Sequence, residues 1–466
     1  MSKTAPSFYQ TLAALGAVLQ IFTLGMGQGA RIEIDGSTAR VSIDLDAAER
    51  VNVSFLSSYA GVDGISERVT ELKVFDTEQR EVNLKRLGLG EYLAERPYAR
   101  LSYSVNLEPL SNAGRAHVSW IDGDVGVLVG RDLLPIGVRE VVAALALPSG
   151  WELRGTVPDA RAVKLGRAGE PVYIGRGWRV REDAGGKLTL MFSGEWRFTD
   201  EDAMERAREI FAEYERMFGA APSGAFSIAF TRLPQQTEFG VWNAETRGRN
   251  VLVASSDMPF GTPSVQRMHE QLRHEIFHFW IPNGVNLSGN YDWFYEGFAL
   301  YQSLKIGVKL KRIRFEDMLI TLSQAMRMAD AVGDGTSLID ATRNRWTTGQ
   351  NAIYARGLAA AFYIDLSMMN ESRGRRMTDD IVREIYAKYS ESAERRDGNE
   401  AVLEILTARP ELRPVVNGMV NGTSGFDAGG LLTKSGFVRS PGKLETTEKP
   451  NGRQREILRK LGYNGR

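Results

Sequence analysis

The chain has 466 residues, 43% of them hydrophobic and 25% charged, which describes a soluble globular protein of about two or three domains and excludes a disordered chain or a bundle of membrane spans. Its 58 basic and 58 acidic side chains cancel, so no overall field draws nucleic acid to it. Cysteine is absent, which excludes disulfides, thiolate metal sites and a cysteine nucleophile and leaves His, Asp or Glu to hold any transition metal.

The N-terminus carries one lysine, Lys3, and then no charge until Arg31. A basic start, the apolar run TLAALGAVLQIFTLG and the small residues of GMGQGA read as a secretory signal over residues 1–30, which implies an extracytoplasmic, periplasmic or secreted protein. The alternatives are a retained membrane anchor or a helix packed on the protein.

Residues 31–195 read as strands. ARVSIDL alternates Val41, Ile43 and Leu45, and ARLSYSVNLE alternates Leu101, Tyr103, Val105 and Leu107. That period places one set of side chains on one face, as in half-buried antiparallel strands, and the turn-rich breaks between the runs predict a β-sandwich domain. The pattern changes at FTDEDAMERAREIFAEYERMF, where Thr199 and Asp202 predict a capping box ahead of apolar residues at helical spacing. GAFSIAF and NVLVAS read as strands, and from Ser264 onward helices dominate. The organisation expected is α+β and multidomain: a catalytic α/β domain over 196–305, a helical domain over 306–438 and a polar, peripheral C-terminal tail over 439–466.

Two of the chain's four histidines, His274 and His278, fall four apart in QLRHEIFHFWIPNG. On a helix such positions differ by only about 40°, so both imidazoles can point at one ion. Glu275 sits beside that point, where a carboxylate can take a proton from water without being a ligand. Zinc in hydrolases takes three protein ligands, keeps a position open and lowers the pKa of water there to about 7. This is the zinc-peptidase reading of H-E-x-x-H. Pro282, Asn283 and Gly284 are the residues expected to end the helix. The third ligand expected is Glu296 in DWFYEGFALYQSL, 18 residues after His278, with Gly297 allowing close backbone approach. His269 lies roughly 140° from His274 around a helix and is not expected to join the site. His117 reads as a structural or surface residue of the strand domain.

HEIFHFW followed by WFYEGFALY resembles the gluzincin zinc metallopeptidases, and is most similar to the glycyl aminopeptidase family without its PDZ domain. The resemblance covers roughly Thr199 to Val438 and extends weakly to the N-terminal strands. It implies a thermolysin-like catalytic domain, one Zn2+, a peptide substrate, and aminopeptidase-like hydrolysis with Glu275 as general base. It also implies that Tyr354, in NAIYARGLAAAFYIDL, stabilises the oxyanion, a role that suits a neutral phenol donor. The sequence departs from the family where Tyr295 precedes the third ligand. It departs again at EFGVWNAETRGRN, which lacks the family's Glu-His pair at the substrate edge and leaves Gly240 and Glu245 as candidate substrate-binding residues. Arg247 and Arg249 there suit a carboxylate or the main chain. The alternatives are a noncatalytic binding or scaffold protein that keeps a zinc-stabilised peptidase fold, and hydrolysis of a non-peptide substrate. No nucleic-acid partner is expected, and membrane attachment is expected only if the N-terminal segment is retained.

Overall fold

The computed structural model describes residues 28–45, 50–154, 162–332, 335–344, 349–423 and 426–464. Residues 1–27 of the segment read as a signal lie outside them, while the first strand already begins at Gln28. Among the described residues no helix is long and apolar enough to cross a membrane.

The N-terminal part is built of sheets. Thr38–Asp44 and Arg100–Asn106 pair antiparallel and place Val41 opposite Tyr103 and Ile43 opposite Leu101. The apolar alternation of the two strands therefore falls on one face, and all four side chains are buried. These strands lie within a seven-stranded sheet. Its core is shared with Ile121, Leu128, Val172 and Ile174 of a four-stranded sheet, so one apolar layer separates the two.

A five-stranded sheet follows, in the order Arg179–Glu182, Leu188–Phe192, Phe226–Arg232, Asn250–Ser255 and Trp242–Arg247. The second, third and fourth strands run parallel, and Trp242–Arg247 closes the edge antiparallel to its neighbour. Two of these strands come from before residue 195, so the boundary expected there divides this sheet. The reason is visible in the side chains. Leu190, Phe192, Ile228, Phe230, Val251 and Val253 face the helices. Met191, Ala229 and Leu252, on the opposite face, pack with Trp120, Val127, Tyr173 and Trp178 of the N-terminal part. Strands covered on both faces read as continuous apolar runs, and these do.

Helix Asp200–Phe218 starts at the predicted capping box, with Asp202 N donating to Thr199 Oγ1 at 3.0 Å, and stops at Gly219 in the left-handed conformation (φ 84°). It packs beside helix Gly261–Phe277, and Tyr214 Oη donates to the carbonyl of Arg273 across the contact. Helices Asp292–Lys309, Phe315–Val332, Gln350–Ser372 and Thr378–Tyr389 continue the same core.

The C-terminal segment is not the peripheral tail that its polarity suggests. Strands Phe437–Ser440 and Lys443–Thr446 form a hairpin, followed by helix Gly452–Lys460. Leu444, Ile457, Leu458 and Leu461 are buried in the main core, and Leu444 N donates to Ser323 Oγ at 2.8 Å. Few apolar residues, correctly spaced, suffice to dock it.

Candidate active site

Helix Gly261–Phe277 carries His274 in its last turn and ends sooner than the Pro-Asn-Gly signal predicts, with His278 as the C-cap. His278 keeps helical dihedrals (φ −68°, ψ −12°), so its side chain still shares the face of His274. Gly284 then allows a tight reversal, since a Cβ there would lie 2.7 Å from the Phe279 carbonyl oxygen. The next helix, Asp292–Lys309, brings Glu296 to the same point in its second turn.

The three side chains converge. His274 Nε2 and His278 Nε2 are 3.2 Å apart, and Glu296 Oε2 lies 3.2 Å from the first and 3.6 Å from the second. Ligands about 2.1 Å from a tetrahedral ion stand roughly 3.4 Å from one another, so this spacing suits one zinc ion. Among the described residues this is the one trio of His, Asp or Glu gathered in this way. Glu296 Oε2 is buried and makes no hydrogen bond of normal geometry, although two imidazoles stand at ion-pair distance. His278 Nδ1 faces the Ile281 carbonyl at 3.0 Å, which orients the ring with Nε2 inward.

The electrostatics agree with a place built for positive charge. Burial pushes the His278 imidazole down, but the Glu296 carboxylate beside it prevails and holds it up at about 9. Burial likewise pushes Glu296 up, and the two imidazoles outweigh it and hold the carboxyl far below the usual carboxylate range. The donor set, two imidazoles and a carboxylate, is the one zinc takes in hydrolytic sites.

Glu275 is buried next to the trio. Its Oε2 accepts a 2.6 Å hydrogen bond from Thr246 Oγ1 on the edge strand Trp242–Arg247. Asn283 ties the same strand to the end of the helix, its Oδ1 accepting from Gly248 N at 3.0 Å and its Nδ2 donating to the His278 carbonyl at 3.0 Å. Thr246 carries no sequence signal of its own, and Asn283 only that of a helix end, because their contacts here arise from where the edge strand lies.

Tyr354 is half-buried in the second turn of helix Gln350–Ser372. That helix crosses Asp292–Lys309 at Gly357 and Gly297, and Tyr354 shares the face of Gly357 because the two are three residues apart. Its hydroxyl is near enough to Tyr295 to act on that phenol's titration. Tyr295 itself packs edge-on to the His278 ring at 6.0 Å and donates to Asp292 Oδ1 at 2.9 Å. Burial first, then the charges of Asp292 and Glu296, push the Tyr295 hydroxyl well up, so it stays a neutral donor.

Glu245 lies elsewhere. It is one residue from Thr246 along a strand and therefore points to the opposite face. There its Oε1 accepts from Tyr59 Oη and Arg247 Nε, both at 2.8 Å, while its Oε2 lies 2.7 Å from His117 Nδ1. Burial pushes the carboxyl up, but Arg247 and His117 prevail and hold it at about 2. His117 is thus half-buried at the contact between the strand domain and the edge strand. Arg249 pairs with Glu170 instead of facing the metal trio. Gly240 sits ahead of the edge strand with φ 78°, where Met258 Sδ and Arg267 Nη2 stand close to the place of a Cβ.

No family model matches the sequence, and no curated protein matches it either. Solved structures do match. An aminopeptidase N family protein from Idiomarina loihiensis superposes with a TM-score of 0.71 at 14% identity, over 88% of this chain and 78% of that one. A mutant of an M1 zinc metallopeptidase from Deinococcus radiodurans, bound to a Tyr-Ser-Ala substrate, superposes with a TM-score of 0.50 at 14% identity, over 85% and 94% of the two chains. The chain therefore has the mixed α+β fold of M1 zinc metallopeptidases of the aminopeptidase N kind.

Proposed function

We propose that the protein is a zinc-dependent peptide hydrolase with aminopeptidase-like action. The observation that carries this reading is the convergence of His274, His278 and Glu296 on one point, with Glu275 buried beside it. A zinc ion held there would polarise a scissile carbonyl and acidify the attacking water. Glu275 takes the water's proton and passes it to the leaving amine. Thr246 holds one oxygen of that carboxylate by the 2.6 Å hydrogen bond and thereby orients the other. Tyr354 donates a hydrogen bond from its phenol to the developing oxyanion. A peptide is the substrate class supported by the motifs and by the fold, since one protein of similar fold holds a tripeptide. The finer likeness to glycyl aminopeptidases rests on the sequence motifs. The charge-poor N-terminal segment supports a protein that works outside the cytoplasm.

A second reading, a noncatalytic peptide-binding protein with a zinc-stabilised fold, is favoured by one observation. The edge strand's carboxylate, Glu245, is committed to Tyr59, His117 and Arg247 and faces away from Glu275. A mixed peptide library incubated with the zinc-loaded protein separates the two readings. Stepwise loss of residues from the amino end supports the first; bound zinc with no cleavage supports the second.

A further inference from the structure

A second face of the two-histidine helix lines an open cavity of about 810 Å³. Thr262, Gln266, His269 and Arg273 form its stripe at helical spacing. Arg273 and His274 are consecutive, so the stripe lies about 100° round the helix from the metal trio.

The cavity's charges do not balance. Among its lining cations, Arg206 and Arg312 are held by Glu209, and Arg267 by Glu270. Of the lining carboxylates, Asp317 pairs with Arg314, while the Asp202 carboxylate accepts from Thr199 N and Oγ1, a neutral cap that leaves one negative charge against the three cations that follow. Arg197, Arg273 and Lys311 have no carboxylate within ion-pair distance among the described residues. Arg197 and Lys311 are exposed at the rim, and Arg273 is only 3% exposed.

The position of Arg273 is built. Its Nη1 lies 2.5 Å from His269 Nδ1 and its Nε donates to Ser303 Oγ at 3.3 Å, so both partners are neutral groups. Its guanidinium lies against Gly307 of the neighbouring helix, where a Cβ would come within 3.0 Å of Cζ. His269 is 1% exposed, and its Nε2 is buried with no hydrogen-bond partner, the nearest carboxylate oxygen, Glu209 Oε2, standing 3.8 Å away and shared with Arg206 and Arg312. Burying a cation without an opposite charge is costly, and a buried donor left unpaired adds to that cost. Both costs fall if an anion enters the cavity.

We propose that this cavity binds a small molecule through a phosphoryl group, with Arg273 and His269 at its floor and Arg197 and Lys311 at its rim. A phosphoryl group fits better than a single carboxylate because three cations without an ion-pair partner line the one cavity, and it offers about two negative charges and three acceptor oxygens. The planar fork of Arg273 suits such an oxyanion. The site lies on a different face from the metal trio, so it stands or falls independently of peptide hydrolysis.

The test is calorimetric titration of the zinc-loaded full-length protein with inorganic phosphate at constant ionic strength, with acetate as the comparison. The expected result is one phosphate per chain, bound more tightly than acetate, with binding weakened at least ten-fold in Arg273→Gln and several-fold in Lys311→Ala. Lys311 is exposed, so its variant keeps the test valid if Arg273→Gln folds poorly. Glu296→Gln, which damages the metal trio, is expected to retain phosphate binding. Absence of phosphate binding, equal affinity in Lys311→Ala, or loss of binding in Glu296→Gln would each overturn the proposal.

Discussion

Gly297 and Gly357 meet backbone to backbone where two long helices cross. A Cβ on Gly297 would lie 2.4 Å from the Gly357 carbonyl carbon, and one on Gly357 would lie 2.3 Å from the Trp293 carbonyl oxygen. One residue before Gly297 is Glu296, and three before Gly357 is Tyr354. The crossing therefore fixes how near Tyr354, the proposed oxyanion donor, stands to Glu296, the proposed third metal ligand. Gly297→Ala is expected to force the helices apart and cost about 1–3 kcal/mol of stability, as overpacking does. Thermal unfolding measures that cost. At temperatures where the variant stays folded, peptide cleavage should fall more than zinc content.

The hydroxyl of Thr246 is the one group on the edge strand seen to hold the Glu275 carboxylate. Thr246→Val keeps the shape and removes the donor, and the turnover number is expected to drop about ten-fold with little change in zinc content. Thr246→Ser should restore most of the rate. A Val variant as fast as the parent would show that Glu275 needs no such partner.

Glu245 holds the strand domain to the five-stranded sheet, and its pH dependence has a definite sign. The carboxyl is held at about 2 in the folded chain against an ordinary 4.5, so its contribution is present above 4.5 and lost as pH falls towards 2. At neutral pH, Glu245→Gln is expected to cost about 3 kcal/mol or more, because Arg247 is left buried without its partner. Urea unfolding of the parent and of the variant should converge as pH falls through that window. A constant gap between them from pH 6 to pH 3, a range of roughly 3 units, would contradict the assignment.

Removing the residues after Gly436 is expected to destabilise the protein strongly rather than trim a tail. Leu444, Ile457, Leu458 and Leu461 would all leave the main core. Each fully buried aliphatic side chain contributes about 2 kcal/mol. A truncated chain that melts where the full chain does would show that the segment only rests on the surface.

The convergence of His274, His278 and Glu296 was legible because helical geometry makes a pair four apart a local property, and Glu296 with Gly297 repeats that locality on the next helix. The strands Thr38–Asp44 and Arg100–Asn106 were legible for the same reason, their alternation being a pattern of a few residues. What could not be read were relations across long stretches of chain. His117 and Glu245 meet across 128 residues, and the face that Glu245 takes depends on which way the edge strand turns. The C-terminal segment shows the limit of composition, since Leu444, Ile457, Leu458 and Leu461 among many charges dock it. Two strands before residue 195 joined the five-stranded sheet because its second face is covered by the N-terminal part, a fact of packing and not of pattern.

Zinc-dependent hydrolysis through Glu275 is tested by comparing the parent and Glu275→Gln, both loaded with zinc, for zinc content by elemental analysis and for cleavage of peptides with free amino ends. Both proteins should hold one zinc per chain, the parent should cleave, and the variant's rate should be at least about a hundred-fold lower. A parent that binds no zinc, or a variant that cleaves as fast as the parent, would contradict that mechanism.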